Sequence, residues 1–293
     1  MAHKPGVDIV IVAYRSRELL RACLDSLREH RATDAMRAFV VVNGSDDGTE
    51  AMVRREFPEV WLHLPNANLG FAAATNLGIR AGSREYVLAL NPDTRVGAGA
   101  LDRMLELMKT RQEIGIAGCR LVREDGTLDH AAKRSFPTPL SAVGHFTGLG
   151  RREGAPPRLA AYRAPEVEAG VVDAVNGAFM LMRRAALEEV GLFDEGYWMY
   201  MEDLDLCYRF AEGGWTTWYE PSVSVVHVKH GTSGHVRSPQ LERAFHYGMY
   251  RFYRKHYARH QSLLVNGAVY AGIGVRLGWR VARSAVMRAA GGA

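Results

Sequence analysis

The chain has 293 residues, 47% of them hydrophobic and 24% charged, which excludes a disordered or fibrous polymer and allows one large domain or two small ones. Cys23, Cys119 and Cys207 lie far apart with no C-x-x-C spacing, which argues against a disulfide framework or a zinc site and for a reducing compartment. The net charge of +5 is unevenly placed: residues 230–293 hold ten Lys/Arg against one acid, Glu242, leaving −4 for the remainder. An acidic body with a basic tail suits an enzyme resting on an anionic membrane; no nucleic-acid motif accompanies the charge, so nucleic acid is not expected as a partner.

The first 120 residues alternate between two periods. Residues 7–13 are a continuous β-branched run, as expected of a strand buried on both faces. Ser16 opens a helix with Leu19, Leu20, Cys23, Leu24 and Leu27 on one stripe. Strands are predicted at 39–42, 60–64, 86–90 and 114–118, with helices capped at Thr49 and spanning about 72–80 and 100–109. This spacing predicts an α/β fold with a mostly parallel central sheet flanked by helices. Residues 121–128 read as a hairpin around Glu124-Asp125-Gly126-Thr127, and 131–170 as a loop or lid. Strands follow at 171–175, 179–182, 215–219 and 223–227, helices at 184–190 and 202–211, and a helical extension from Pro239 onward. The amino terminus shows no apolar stretch followed by a small-residue cleavage site, which predicts a cytoplasmic protein.

In an open parallel sheet, ligands bind beyond the carboxyl ends of the strands. Four elbows fall there: Tyr14-Arg15, Asn43-Gly44-Ser45, Asn68-Leu69-Gly70 and Asn91-Pro92-Asp93. All are polar or glycine-rich and suit a nucleotide. No G-x-G-x-x-G or G-x-x-x-x-G-K-[ST] is present, which disfavours a dinucleotide dehydrogenase and a P-loop NTPase. Asp93 reads either as a turn residue or as an oxygen ligand for Mg²⁺ or Mn²⁺. The acids of Glu202-Asp203-Leu204-Asp205 read either as complements to a helix amino terminus or as a general base at the cleft. His227, at a strand end, reads either as structural or as a ligand.

Taken in order, these segments resemble glycosyltransferase family 2. The matching stretches are VIVAYRS (10–16), VVNGSDDGT (41–49), NLGFAAATNLG (68–78), LALNPDT (88–94), NGAFMLMR (176–183), MEDLDLCYR (201–209) and VHVKHGTS (226–233), and the set looks most like bacterial rhamnosyltransferases of cell-wall or surface polysaccharide assembly. The resemblance implies a GT-A, Rossmann-like fold over residues 1–235, a nucleoside-diphosphate sugar donor and a divalent cation. It places donor contacts at Ala13, Tyr14, Arg15, Asn43, Asn68, Gly70 and Asn91, the metal-binding acid at Asp93 and the catalytic base at Asp203. A metal-binding histidine is implied at His227, with His230 next in line. Asn176, Gly177, Trp198, Glu202 and His230 are candidates for the acceptor or sugar pocket. Val42 stands where many members carry an acid that contacts the base, and Ala74 replaces a frequent glycine. The implied reaction is an inverting single displacement, with L-rhamnose from dTDP-rhamnose the preferred transfer and another UDP- or GDP-sugar the alternative.

Residues 236–293 read as a basic helical region. Residues 261–275 carry no charge but fall short of the ~20 residues a helix needs to span a bilayer. With Arg276, Arg280 and Arg283 following at helical spacing, an amphipathic helix on the inner face of the cell membrane is expected, beside a polyprenyl-diphosphate-linked saccharide acceptor. The alternative is docking on the body or in a homodimer interface. Two rival functions stay open: a sugar nucleotidyltransferase, which would want a glycine-rich loop after the first strand, and a non-catalytic scaffold.

Overall fold

The computed structural model describes residues 3–30, 35–138, 168–228 and 238–290. Strand β1 (Lys4–Ala13) lies inside the sheet, parallel to β2 (Met36–Val42) and β4 (Arg84–Leu90); β3 (Trp61–His63) adds outside β2. Both faces of β1 are covered, so Val7, Ile9, Val10 and Ile11 are at most 1% exposed. Each such side chain contributes about 1.5–3 kcal/mol by leaving water. Helix α1 (Arg17–Glu29) buries Leu20, Cys23, Leu24 and Leu27, the stripe expected of helical period. Its amino end differs from expectation, because the Ser16 side chain makes no cap bond. At α2 (Thr49–Glu56) the capping oxygen comes from Asp47, whose Oδ1 accepts from the Thr49 N–H at 3.3 Å, and not from Thr49 itself. Helix α3 (Phe71–Ala81) lies directly on β1; a Cβ at Gly78 would sit 2.5 Å from Val10 Cγ1.

The second half of the sheet is mixed. After the short β5 (Thr94–Val96) and α4 (Ala100–Thr110), β6 (Ile114–Val122) enters one place removed from β4. Short strands β7 (Lys133–Arg134), β8 (Gly170–Val171) and β9 (Ala174–Val175) precede β10 (Phe179–Arg183), which fills the gap antiparallel to both neighbours. Helices α5 (Arg184–Val190) and α6 (Glu202–Glu212) lead to β11 (Thr216–His227), one twelve-residue strand where two short ones were expected. The order is β3-β2-β1-β4-β10-β6-β11-β5, with β8 on β11 and a separate β7–β9 pair. "Mostly parallel" therefore describes the first half; β10, β5 and β8 run against their neighbours.

The extension packs back on the body. Helix α7 (Pro239–His256) is joined to α6 around Asp205, which is 0% exposed: His256 Nε2, Lys255 Nζ and Arg209 Nε each lie 2.8 Å from its carboxylate. Burial alone would raise that carboxyl, but the bonds from His256 and the charges of Arg209 and Lys255 hold it well below the usual range. Helix α8 (Leu263–Ala290) then lies along α7, where Tyr253 donates to Asn266 Oδ1 at 2.6 Å and Arg280 bonds Glu242 Oε1 at 2.8 Å. Arg280 thus turns toward α7, where an exposed basic face was expected. Leu264, Val275 and Trp279, at 86%, 75% and 56% exposure, share one face of α8 with Ala268, Ala271 and Ala282, a stripe free of charge. No helix among the described residues is long and apolar enough to cross a membrane.

Candidate active site

The first three elbows are stitched into one rim. Arg15, at φ 49°, donates its backbone N–H to Ser45 Oγ at 2.7 Å, and Arg17 N–H reaches Asp47 Oδ2 at 3.1 Å, joining the first elbow to the second. Burial would raise the Asp47 carboxyl, but hydrogen bonds from Thr49 and Arg17 bring it below its ordinary value. Asn43 N–H bonds the Ala13 carbonyl at 2.8 Å. The Asn43 side chain, 2% exposed, joins the second elbow to the third: its Nδ2 donates to Asn68 Oδ1 at 3.0 Å and to the Gly70 carbonyl at 3.1 Å, while its Oδ1 accepts from Leu69 N–H at 2.9 Å. Asn43, expected to touch the donor, spends its amide holding the loop that carries Asn68 and Gly70. Val42 is 3% exposed and presents no polar group. Tyr14 is half-buried and Arg15 exposed, so both are open to a ligand, as are the exposed Leu69 and the half-buried Ser45, Asn68 and Asn91.

Gly70, at φ 82°, lets the third elbow meet the loop before α6. A Cβ there would lie 2.2 Å from the Trp198 carbonyl, which accepts from Phe71 N–H at 2.8 Å. The Trp198 ring packs at the same place, with Nε1 3.4 Å from the Asn68 carbonyl, so it braces the elbow.

The fourth elbow carries Asn91 and Asp93. Asn91 N–H bonds the Ala178 carbonyl at 3.0 Å, and the neighbouring Gly177 N–H bonds Asp203 Oδ2 at 3.2 Å. Asp203, 7% exposed, also accepts from Arg134 and from Leu204 N–H. The backbone entering its helix is strained, with Tyr200 at φ 70° and Met201 at φ 73°, a conformation that non-glycine residues hold only when neighbouring structure enforces it. On the other side, Asp93 Oδ1 lies 3.4 Å from His227 Nε2, and His227 Nδ1 lies 3.2 Å from Asp129 Oδ2. Asp129 and Arg134 share one short strap, whose Ala132 carbonyl accepts from Asn176 N–H at 3.1 Å and whose Ala131 carbonyl accepts from Asn176 Nδ2 at 3.3 Å. Bonds and short chain segments therefore connect Asp93, His227, Asp129, Arg134, Asp203, Gly177, Ala178 and Asn91 in a closed ring.

Asp129 and Arg134 were missed in the sequence. A single acid after a hairpin and a single arginine in a two-residue strand carry no pattern that separates them from surface polar residues. His230 and residues 139–167, within the expected lid, lie outside the described residues.

The electrostatics divide the ring. Burial lowers the His227 imidazole, but hydrogen bonds and charge from Asp129 and Asp93 outweigh it and raise it to about 9. Burial, reinforced by the charge of Asp203, pushes Glu202 up to about 8, so at neutral pH a protonated carboxyl stands beside Asp203. Asp93 and His227 supply a carboxylate oxygen and an imidazole nitrogen facing each other, a donor set that suits Mg²⁺ or Mn²⁺. Among the described residues no three His, Cys, Asp or Glu side chains are arranged to hold an ion alone. A cavity of about 470 Å³ lies at the opposite, amino-terminal edge of the sheet, but its Arg183 is spent on the carbonyls of Met108, Arg111 and Ile114.

Residues 5–244 match the model of "Glycosyltransferase like family 2". The chain belongs to that family. This glycosyltransferase is 34% identical over 218 residues to the N-acetylglucosaminyl-diphospho-decaprenol L-rhamnosyltransferase of Mycobacterium tuberculosis, covering 70% of each chain. It is 25% identical over 231 residues to the rhamnosyltransferase WbbL of Escherichia coli, covering 76% of this chain and 84% of the relative. Among solved structures it superposes on a mannosyltransferase of Pyrobaculum calidifontis, in complex with GDP-Man and Mn²⁺, with a TM-score of 0.59 at 18% identity, over 99% of this chain and 75% of that one. It also superposes on GalNAc-T7, with UDP, GalNAc and Mn²⁺, at a TM-score of 0.60 and 14% identity, over 86% of this chain and 48% of that one. The fold of this glycosyltransferase is thus GT-A.

Proposed function

We propose that this glycosyltransferase is an inverting, metal-dependent enzyme that moves L-rhamnose from dTDP-rhamnose to a hydroxyl of a polyprenyl-diphosphate-linked saccharide. The observation that carries the reading is the ring of contacts that puts the Asp93–His227 pair and Asp203 on one sheet edge. The donor sugar and the lipid-linked acceptor are taken from the names of the rhamnosyltransferase relatives.

In this mechanism the donor lies on the rim, its base and ribose against Tyr14 and Arg15 and its loop held open by Asn43. Asp203 takes the proton of an acceptor hydroxyl as the oxygen bonds to the anomeric carbon. The bond from that carbon to the diphosphate breaks on the opposite face, and its electron pair leaves with the diphosphate. Gly177 N–H, Leu204 N–H and Arg134 hold the Asp203 carboxylate in position. Asp93 and His227 would hold the divalent cation, which when bound supplies positive charge to the departing diphosphate. Residues 1–235 carry this chemistry, and residues 236–293 hold the enzyme to the cytoplasmic face of the membrane through the uncharged stripe on α8.

The test is Asp203→Asn in the full chain, supplied with dTDP-rhamnose, Mn²⁺ and a synthetic prenyl-diphosphate N-acetylglucosamine. Transfer is expected to fall by about 10²–10⁴-fold, the usual worth of a general base, with donor binding nearly unchanged. Undiminished turnover removes Asp203 as the base, and inactivity of the parent protein with this donor but not with another nucleotide sugar overturns the rhamnosyl assignment.

A further inference from the structure

We infer that Asp129 is the positioning residue that aims His227 at the cation, an inference that rests on the metal-binding reading of Asp93 and His227. Its side chain is 1% exposed, and its two oxygens face different groups. Oδ1 accepts from Ala131 N–H at 3.1 Å, closing a local turn; Oδ2 lies 3.2 Å from His227 Nδ1. The opposite ring nitrogen, Nε2, is the one facing Asp93. A carboxylate accepting from Nδ1–H prevents the ring from turning and, once a cation takes the place of the Nε2 proton, leaves the Nε2 lone pair aimed at it.

Asp129 is held without help from the imidazole. Its own N–H bonds the Leu121 carbonyl at 2.9 Å, and the strap beyond it is tied to Asn176 through the carbonyls of Ala131 and Ala132. The carboxylate thus stands ready before any ligand arrives, which is the requirement for orienting a neighbour at no cost on binding. Asp129 acts through the ring, since it meets Nδ1 while Asp93 meets Nε2, and the three side chains do not form a three-ligand cluster.

The test is a Mn²⁺ titration of the full chain in the presence of dTDP, with free Mn²⁺ read by electron paramagnetic resonance and no acceptor added. Asp129→Ala is expected to raise the Kd for Mn²⁺ by about 10–100-fold, the usual effect of removing a residue that orients a metal ligand. Asp129→Asn keeps one side-chain oxygen for two donors; with that oxygen on Ala131 N–H the turn is retained and the variant should fold, while the amide N–H₂ then facing Nδ1 cannot accept its proton, so a loss of at least several-fold is expected. Mn²⁺ affinity within twofold of the parent in both variants overturns the inference, and if Asp129→Ala does not fold, the Asn variant alone decides. His227→Ala separates the two levels. If it leaves Mn²⁺ binding unchanged, the metal reading itself fails; if it weakens binding while the Asp129 variants do not, only the role of Asp129 falls.

Discussion

The guanidinium of Arg134 bonds the carboxylate of Asp203 and, through the same Nη2, the Val175 carbonyl at 3.3 Å. This ion pair is mostly buried, its side chains 16% and 10% exposed, so removing the cation strands a carboxylate beside the protonated Glu202. Arg134→Ala is expected to lose about 3–5 kcal/mol in urea denaturation, the usual cost of breaking a buried pair, and to lower turnover. Arg134→Lys should recover part of both, because the ammonium restores the charge beside Asp203 while its reach and geometry differ from those of the guanidinium Nη2 that serves Asp203 and Val175 together. An alanine variant as stable and active as the parent would show that the pair is incidental.

Glu202 gives a dependence on pH whose sign follows from its surroundings. Its carboxyl is 6% exposed, with the charges of Asp203, Arg134 and Asp205 about it, and it holds its proton up to about pH 8, against 4.5 for an ordinary glutamate. Between those values the folded chain binds the extra proton, so this contribution to stability is whole below pH 4.5 and is lost as pH rises through 8. Glu202→Gln is expected to flatten the fall of Tm between pH 5 and 8, and to keep transferring sugar, since the proposed base is Asp203. Parallel Tm curves for parent and variant would remove Glu202 as the source.

At Gly70 a side chain is blocked twice, by φ of 82° and by the Trp198 carbonyl 2.2 Å from the added Cβ. Gly70→Ala is therefore expected to lower stability by roughly 1–3 kcal/mol and to displace the Asn68 loop from Asn43. Kinetics should show donor KM rising more than kcat falls. An unchanged KM would mean that the loop does not touch the donor.

For α8, replacing Leu264 and Trp279 together by Glu takes away two exposed side chains worth about 1.5–3 kcal/mol each when they leave water. The parent protein should float with vesicles of anionic phospholipid, and the double variant should not. If the parent instead stays off the vesicles and elutes as a dimer that the variant dissolves, the stripe is an interface between copies.

Long elements with a clean period were legible, and short or tertiary features were not. The stripe from Leu20 to Leu27 and the apolar run of β1 declare themselves because period and burial coincide. Strand β5 spans only Thr94–Val96, too few residues for alternation to register. Residues 215–219 and 223–227 read as two short strands, yet β11 runs through Pro221 between them with an irregularity of register, as proline in a sheet requires. The elbows were found by their composition, but composition could not say that Asn43 bonds Asn68 and Gly70, 25 and 27 residues away. Asp129 and Arg134 acquire meaning only through His227 and Asp203, 98 and 69 residues distant.

That irregularity reaches as far as His227. Along β11 the pairing with β6 passes from Glu220–Cys119 to Ser224–Arg120, so four steps on one strand answer one step on the other. Three surplus residues is an odd number, and in a pleated ladder an odd surplus exchanges the two sides of everything downstream. The histidine therefore owes its aim to the parity of an irregularity four to six positions earlier in the chain. Deleting one of residues 221–223 would turn the imidazole through the sheet, whereas deleting two would preserve its side; in this fold the facing of Asp93 and His227 is counted in whole residues at a stretch of strand that touches neither.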